Sequence, residues 1–205
     1  GIQHGHMKMH LQNILNQFEA NEEEKEIVTT YFDKKTVTHS AVVEKINSLR
    51  KPKINWVNFL DQDFVRTQLS KLNENSKPVF GSMNAQQMIE HLSDVTQIAN
   101  GNWNVDIFVS DDKTAHRKPF LDTENELQIG FKASFLAEEP SDLKFNSIEE
   151  AIGDLVYQIE IFVKVFKYDK SRTVIHPFFG ALDFEYWKMF QVKHFTHHFK
   201  QFNLR

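Results

Sequence analysis

Two histidines near the C-terminal end of the sequence have the spacing of a pair of metal ligands. They are His194 and His198, within the stretch DFEYWKMFQVKHFTHHFKQF at residues 183–202, which is predicted to be a helix. Side chains four residues apart on a helix have Cβ atoms about 5–6 Å apart, so both imidazoles can reach one ion. Trp187 and Phe190 share this face. We therefore expect the two imidazoles to point into the protein.

A third histidine on another helix is the best candidate for completing the site. His91 lies between Met88 and Val95 on the apolar face of a helix predicted from Asn84 to about Ala99. Imidazole is a suitable ligand for zinc, nickel, iron or copper. Three histidines with an open fourth position are typical of a metal that keeps a water or a substrate. The alternative is that all three are core histidines, hydrogen-bonded to their neighbours without a metal.

Three further polar residues are candidates for the surroundings of the ion. Asp94 could orient an imidazole ring or a bound water, or face solvent. Gln201 could bond a ligand or a metal-bound water, or be a polar residue at a fraying helix end. His176 could line the mouth of the site, although stiffening of its turn is favoured. His197 shares its helix face with Lys193 and Lys200, and this face is predicted to point outward.

No other catalytic signature accompanies the histidines. The sequence contains no Ser-His-Asp signature, no glycine-rich phosphate loop and no evident pair of carboxylates. We therefore assign no catalytic side chain, and the metal would have to supply most of the chemistry.

Composition excludes several classes of function. The chain has 205 residues, of which 40% are hydrophobic and 25% charged, as in an ordinary globular protein. A net charge of −4 without a basic cluster argues against a nucleic-acid partner. The absence of cysteine excludes disulfides and thiolate ligands and favours a cytoplasmic protein. No run reaches the ~18 apolar residues of a membrane span, so no membrane association is expected.

The elements that must position the histidines form an all-α domain. Residues 1–7 are interpreted as an expression remnant, residues 8–57 as an N-terminal helical extension with a linker, and residues 58–205 as the metal-binding domain. Four long amphipathic helices are expected there, capped by Asp61, Asn84, Ser147 and Asp183. Residues 103–145 lose the helical period and are predicted to be a long crossover. Alternation at residues 105–109 and 127–135 predicts a small hairpin within it.

Three motifs in order carry a resemblance to a known family. They are MNAQQMIEHLSDV (residues 83–95), HPFFG (residues 176–180) and KHFTHHFKQF (residues 193–202). Together they resemble the DinB-like metalloenzyme superfamily, in particular a branch with an HPFFG turn before the last helix. The resemblance covers about residues 58–205. It implies a four-helix bundle that binds one divalent ion, most often zinc or nickel, through His91, His194 and His198.

The resemblance leaves the reaction open. Some members of the superfamily are thiol transferases that use bacillithiol or mycothiol, one type is a mycothiol-dependent isomerase, and many have no assigned activity. We expect a metal-dependent enzyme, either a thiol-dependent transferase or a hydrolase, that acts on a small molecule. The alternative is a non-catalytic, metal-containing helical binding module. Relatives are often dimers, so a homodimer is also an expectation.

Overall fold

Almost all of the regular structure in the chain is helical. The computed structural model describes residues 2–33, 35–50, 54–103, 111–130 and 142–204. Its helices are α1 Ile2–Gln17, α2 Glu22–Tyr31, α3 His39–Arg50, α4 Gln62–Leu69, α5 Ala85–Ala99, α6 Asp111–Arg117, α7 Ile148–Tyr168 and α8 Phe184–Gln201. The all-α prediction is therefore confirmed for these residues, apart from a two-stranded sheet. None of the described helices is long and apolar enough to cross a membrane.

The chain divides into two compact units, Gly1–Ile54 and Asn55–Arg205. The first unit contains α1 to α3, which enclose a small apolar core of their own. Helix α2 begins at a capping box in which Asn21 accepts the N–H of Glu24 and the Glu24 carboxylate accepts the N–H of Asn21. Arg50 at the end of α3 binds that same carboxylate, with its Nε 2.8 Å from Oε1. These contacts tie the start of α2 to the end of α3.

Four helices of the second unit, α4, α5, α7 and α8, begin at the four predicted caps. Each capping side chain accepts the backbone N–H three residues further on, which satisfies one of the free donors of the first turn. The caps are Asp61, Asn84, Ser147 and Asp183. At α5 the Gln87 side chain also accepts the N–H of Asn84, so this helix begins at a complete capping box. At α7 the box is incomplete, because the Glu150 carboxylate accepts the N–H of Asn146 and not that of Ser147.

Helix α4 is shorter than the long helix that the sequence predicts. It has 8 residues and ends at Leu69, after which Lys71 and Leu72 make tight turn hydrogen bonds. Leu72 still packs against the core from this turn. The apolar residues at helical spacing through Leu72 are therefore explained by burial, although the helix itself ends at Leu69.

The predicted hairpin is not found where the crossover is described. Residues 105–109 and 131–135 lie outside the described residues, and Leu127 and Ile129 belong to no strand. The described part of the predicted crossover instead contains helix α6 and a short 3-10 helix, Lys118–Asp122. Two strands of the described part of this unit, β1 Val174–His176 and β2 Gly180–Leu182, pair antiparallel on either side of the HPFFG turn.

An aromatic core joins the elements of the second unit. Helix α5 packs against both α7 and α8, and α4 packs against α7. The rings of Phe59 and Phe195 are 5.2 Å apart, and Phe59 also contacts Phe162 at 5.6 Å. Trp187 is fully buried and donates its indole N–H to the carbonyl of Val174, so α8 is anchored to the hairpin. This packing fixes α8 against α5, the two helices that carry the histidines.

Candidate metal centre

Helices α5 and α8 bring the three predicted ligands together. The Nε2 atom of His194 lies 3.0 Å from that of His91 and 3.1 Å from that of His198. His194 and His198 are buried and His91 is half-buried. Among the described residues, no carboxylate and no fourth histidine joins this group, whose ligand atoms all lie within 4.8 Å of one another.

The geometry of the three rings fits a divalent ion. Ring nitrogens at 2.0–2.1 Å from a tetrahedral zinc are about 3.3 Å apart, close to the separations seen here. Nε2 of His194 is close to the Nε2 atoms of both His91 and His198. One ring proton can form a hydrogen bond between His194 and only one of these neighbours. The lone pair of the remaining nitrogen then has no proton to face. A cation among the Nε2 atoms would stabilise this arrangement, which neutral core packing explains poorly.

The surroundings keep the imidazoles neutral and able to bind a metal. Burial lowers the pKa of His91 to about 4, with smaller effects from the charges of His197 and Lys144. Burial, together with the neighbouring histidines, lowers the pKa of His194 and of His198 well below the usual value. The ring of Phe190 stacks on His194 with centroids 5.2 Å apart, which contributes to this burial. A neutral imidazole has the free lone pair that coordination requires.

No protein-family model, no curated protein and no solved structure matches this chain. The functional assignment therefore depends on the residues and the geometry of the site.

Gln201 contacts a predicted ligand directly. Its Oε1 lies 2.8 Å from Nδ1 of His198, and its side chain is buried on the last turn of α8. Of the two readings that the sequence left open, the structure places this amide inside the protein and not at a frayed end.

Asp94 and His176 have other partners. Both carboxylate oxygens of Asp94 accept hydrogen bonds from Lys144, each at 2.5 Å, and burial raises the pKa of Asp94. Nδ1 of His176 accepts the backbone N–H groups of Phe178 and Phe179, which stiffens the HPFFG turn. Its ring lies 4.3 Å from that of Phe190 and thus supports the residue that stacks on His194.

The prediction that Lys193 lies on an outward face is wrong. Lys193 is buried, and its ammonium group donates to the carbonyls of Thr123 and Asn125 at 2.6 and 2.7 Å. It also lies 4.9 Å from the centre of the Trp56 ring. His197 is half-buried and packs against Phe80, outside the group of three histidines.

One important residue of the site's surroundings is absent from the sequence prediction. Glu90, next to His91, is buried, and its two carboxylate oxygens accept the backbone N–H groups of Lys144 and Phe145. It also accepts a hydrogen bond from Gln86. Glu90 thus ties the segment before α7 to the helix that carries His91. Its neighbours at helical spacing, Gln86, Gln87, Ser93 and Asp94, are polar and predict a solvent-facing side, so the local sequence carried no signal for it.

Proposed function

We propose that this chain is a divalent-metal-dependent enzyme of the DinB-like superfamily that acts on a small molecule, as a thiol-dependent transferase or as a hydrolase. The observation that supports the proposal is the convergence of three neutral imidazoles, in which Nε2 of His194 lies 3.0 and 3.1 Å from those of His91 and His198, with no fourth protein ligand among the described residues. Zinc or nickel is the proposed ion, since both accept imidazole ligands. Three protein ligands with an open position are the usual pattern of a catalytic zinc site.

His91, His194 and His198 would hold the ion. When bound, such an ion polarises a carbonyl group and lowers the pKa of a water molecule or a thiol that it contacts. The protein itself supplies position and surroundings. Phe190 covers one face of His194, and the low local dielectric strengthens interactions between charges there. His91 is the least buried of the three rings, so its side of the site is the proposed route for a small molecule.

The proposal is tested by the reactivity of a metal that can be observed. The metal content of protein purified without a histidine tag is measured first by elemental analysis. The protein is then loaded with cobalt(II) and titrated with a small thiol and, separately, with acetate, while the visible spectrum is recorded. If the site is open, the spectral changes are saturable. The response to the thiol then guides the choice of substrates for a transferase assay.

The His194→Ala variant is the control, because it should lose both the cobalt bands and their response. A cobalt spectrum that neither ligand perturbs would show a closed site. That result would favour the non-catalytic metal-containing binding module over the enzyme.

A further inference from the structure

The side-chain amide of Gln201 is held at both of its ends. Its Nε2 donates to the backbone carbonyl of Phe80 at 2.9 Å, and its Oε1 lies 2.8 Å from Nδ1 of His198. A carbonyl oxygen only accepts hydrogen bonds, so the amide nitrogen must be the end that faces Phe80. The amide oxygen is therefore the end that faces His198.

This orientation decides which nitrogen of His198 carries the proton. The amide oxygen is an acceptor without a proton of its own, so Nδ1 of His198 must donate to it. A neutral imidazole has one N–H, which leaves Nε2 of His198 with a lone pair. That Nε2 lies 3.1 Å from Nε2 of His194, on the side where the three rings converge. The lone pair is thus aimed into the candidate metal centre.

The turn at residues 79–81 holds the amide in place. The N–H of Val79 donates to the backbone carbonyl of Gln201 at 2.8 Å. Gly81 has a φ of +78°, and a Cβ atom there would lie 2.6 Å from Nε2 of Gln201. Glycine is therefore required both for the backbone conformation and for the space that the amide occupies.

We propose that Gln201 is a positioning residue that fixes the tautomer of His198, and that the 79–81 turn is the part of the protein that orients Gln201. The inference extends the proposed function, on which its consequence for metal affinity rests. The tautomer itself is a property of the metal-free protein, so it can be measured independently of metal binding.

The first experiment measures the tautomer by two-bond ¹⁵N–¹H correlation NMR on metal-free, ¹⁵N-labelled protein at pH 8. Wild type should show a protonated Nδ1 and an unprotonated Nε2 at His198. In Gln201→Met, which has a similar length and no amide, the Nδ1–H form should no longer be the single species. A wild-type protein with its proton on Nε2, or an unchanged tautomer in Gln201→Met, would overturn the proposal.

A matched control separates this effect from the loss of a buried amide. Gln158 on α7 is also buried, and it bonds Asn100 and Asp154 but none of the three histidines. Gln158→Met should therefore leave the His198 tautomer as in wild type. A change of equal size in Gln158→Met would mean that the tautomer responds to general loosening, and would refute a specific role for Gln201.

A second pair of variants tests the turn. Gly81→Ala and Gly130→Ala introduce the same side chain at the same φ of +78°, but no atom of the described residues lies within 4 Å of a Cβ at Gly130. Only Gly81→Ala should disturb the His198 tautomer, and this variant also serves if Gln201→Met does not fold. Equal spectra for Gly81→Ala and Gly130→Ala would overturn the role of the turn.

Zinc titration of the same four variants measures the consequence for the metal. Loss of a hydrogen bond that orients a ligand typically weakens metal binding by about 10–100-fold, which is expected for Gln201→Met and Gly81→Ala only. Undiminished affinity in Gln201→Met would refute the positioning role. If wild type binds no zinc while its tautomer responds as expected, the proposed function fails and the role of Gln201 in fixing the tautomer stands.

Discussion

His197 and His198 are adjacent in sequence, yet their rings lie at 87° to each other and face different surroundings. His198 turns its Nε2 toward His194, whereas His197 packs against Phe80 with ring centroids 5.1 Å apart. One helical step thus separates a candidate ligand from a histidine outside the site. The pair provides an internal control for any experiment on metal binding.

Single alanine variants should separate the two histidines by metal content. His91→Ala, His194→Ala and His198→Ala each remove one of three ligands, so each should abolish stoichiometric binding of zinc or nickel. His197→Ala removes an imidazole from the same turn but from outside the group, so it should keep the wild-type stoichiometry. Elemental analysis of dialysed protein is the measurement. Loss of metal in His197→Ala, or its retention in His194→Ala, would contradict the proposed site.

Metal affinity should resist mild acid better than a site built from ordinary histidines. Protons compete with the ion only near and below the pKa of each ligand. Burial lowers the pKa of His91 to about 4 and the pKa of both other ligands well below the usual value. From pH 8 to pH 5.5 the affinity should fall less than about tenfold, whereas three unperturbed histidines of pKa about 6.5 would lose about 1000-fold.

Competition with a chelator of known affinity measures this dependence. The titration is repeated at each pH with the stability of the chelate corrected for its own protonation. A thousandfold loss by pH 5.5 would show that the rings are more solvated than their burial implies.

The histidine site was predictable because its signals are local or periodic. The HxxxH spacing of His194 and His198 follows from helix geometry, and the caps Asn84 and Asp183 precede their apolar periods directly. His91 could be chosen because Met88 and Val95, three and four residues away, share its helix face. Each of these inferences needs only a few residues of sequence around the position.

The role of Gln201 and the burial of Lys193, which the sequence did not settle, depend on partners distant in the sequence. Gln201 is positioned by Phe80, 121 residues earlier, and no spacing rule connects the two. Lys193 lies inward because the carbonyls of Thr123 and Asn125 accept hydrogen bonds from its ammonium group. From the helical period alone, a lysine is predicted to face solvent. In both cases a tertiary contact satisfies a polar group that local sequence would leave exposed.

The pH dependence of stability should carry a contribution from His176. Burial lowers the pKa of this residue to about 3, below the ordinary 6.5 of an unfolded histidine. Between these values the unfolded chain binds a proton that the folded protein does not, so the free energy of unfolding falls as pH falls. The stabilisation that the neutral His176 side chain provides is fully present above about pH 6.5. By pH 5 it should have decreased by about 2 kcal/mol.

His176→Asn isolates this contribution. An asparagine oxygen can accept the two turn N–H groups that Nδ1 of His176 accepts now, and it does not titrate. Urea unfolding of the metal-free proteins gives the free energy of unfolding of wild type and variant at pH 8 and at pH 5. The destabilisation caused by the lost ring volume is the same at both pH values, so it cancels when the change with pH is compared. The variant should lose about 2 kcal/mol less than wild type over this interval. Equal losses would show that His176 protonates in the folded protein.

The boundary between the two units predicts which truncations remain folded. Val57 donates its N–H to Thr196 on α8 at 2.8 Å, and Val57 and Phe59 are buried in the core of the second unit. Although residues up to 57 were assigned to the N-terminal extension, Trp56 and Val57 thus contact the domain that carries the site.

Deleting residues 1–54 should therefore leave a protein that unfolds cooperatively and binds metal. Deleting residues 1–60 also removes the side chains of Val57 and Phe59 and the hydrogen bond to Thr196. The additional loss should be about 5 kcal/mol, a large part of the stability of a domain of this size. Urea unfolding followed by tryptophan fluorescence, with zinc titration of each protein, measures both properties. If the shorter deletion already abolishes cooperative unfolding, the first unit is required for the core of the second.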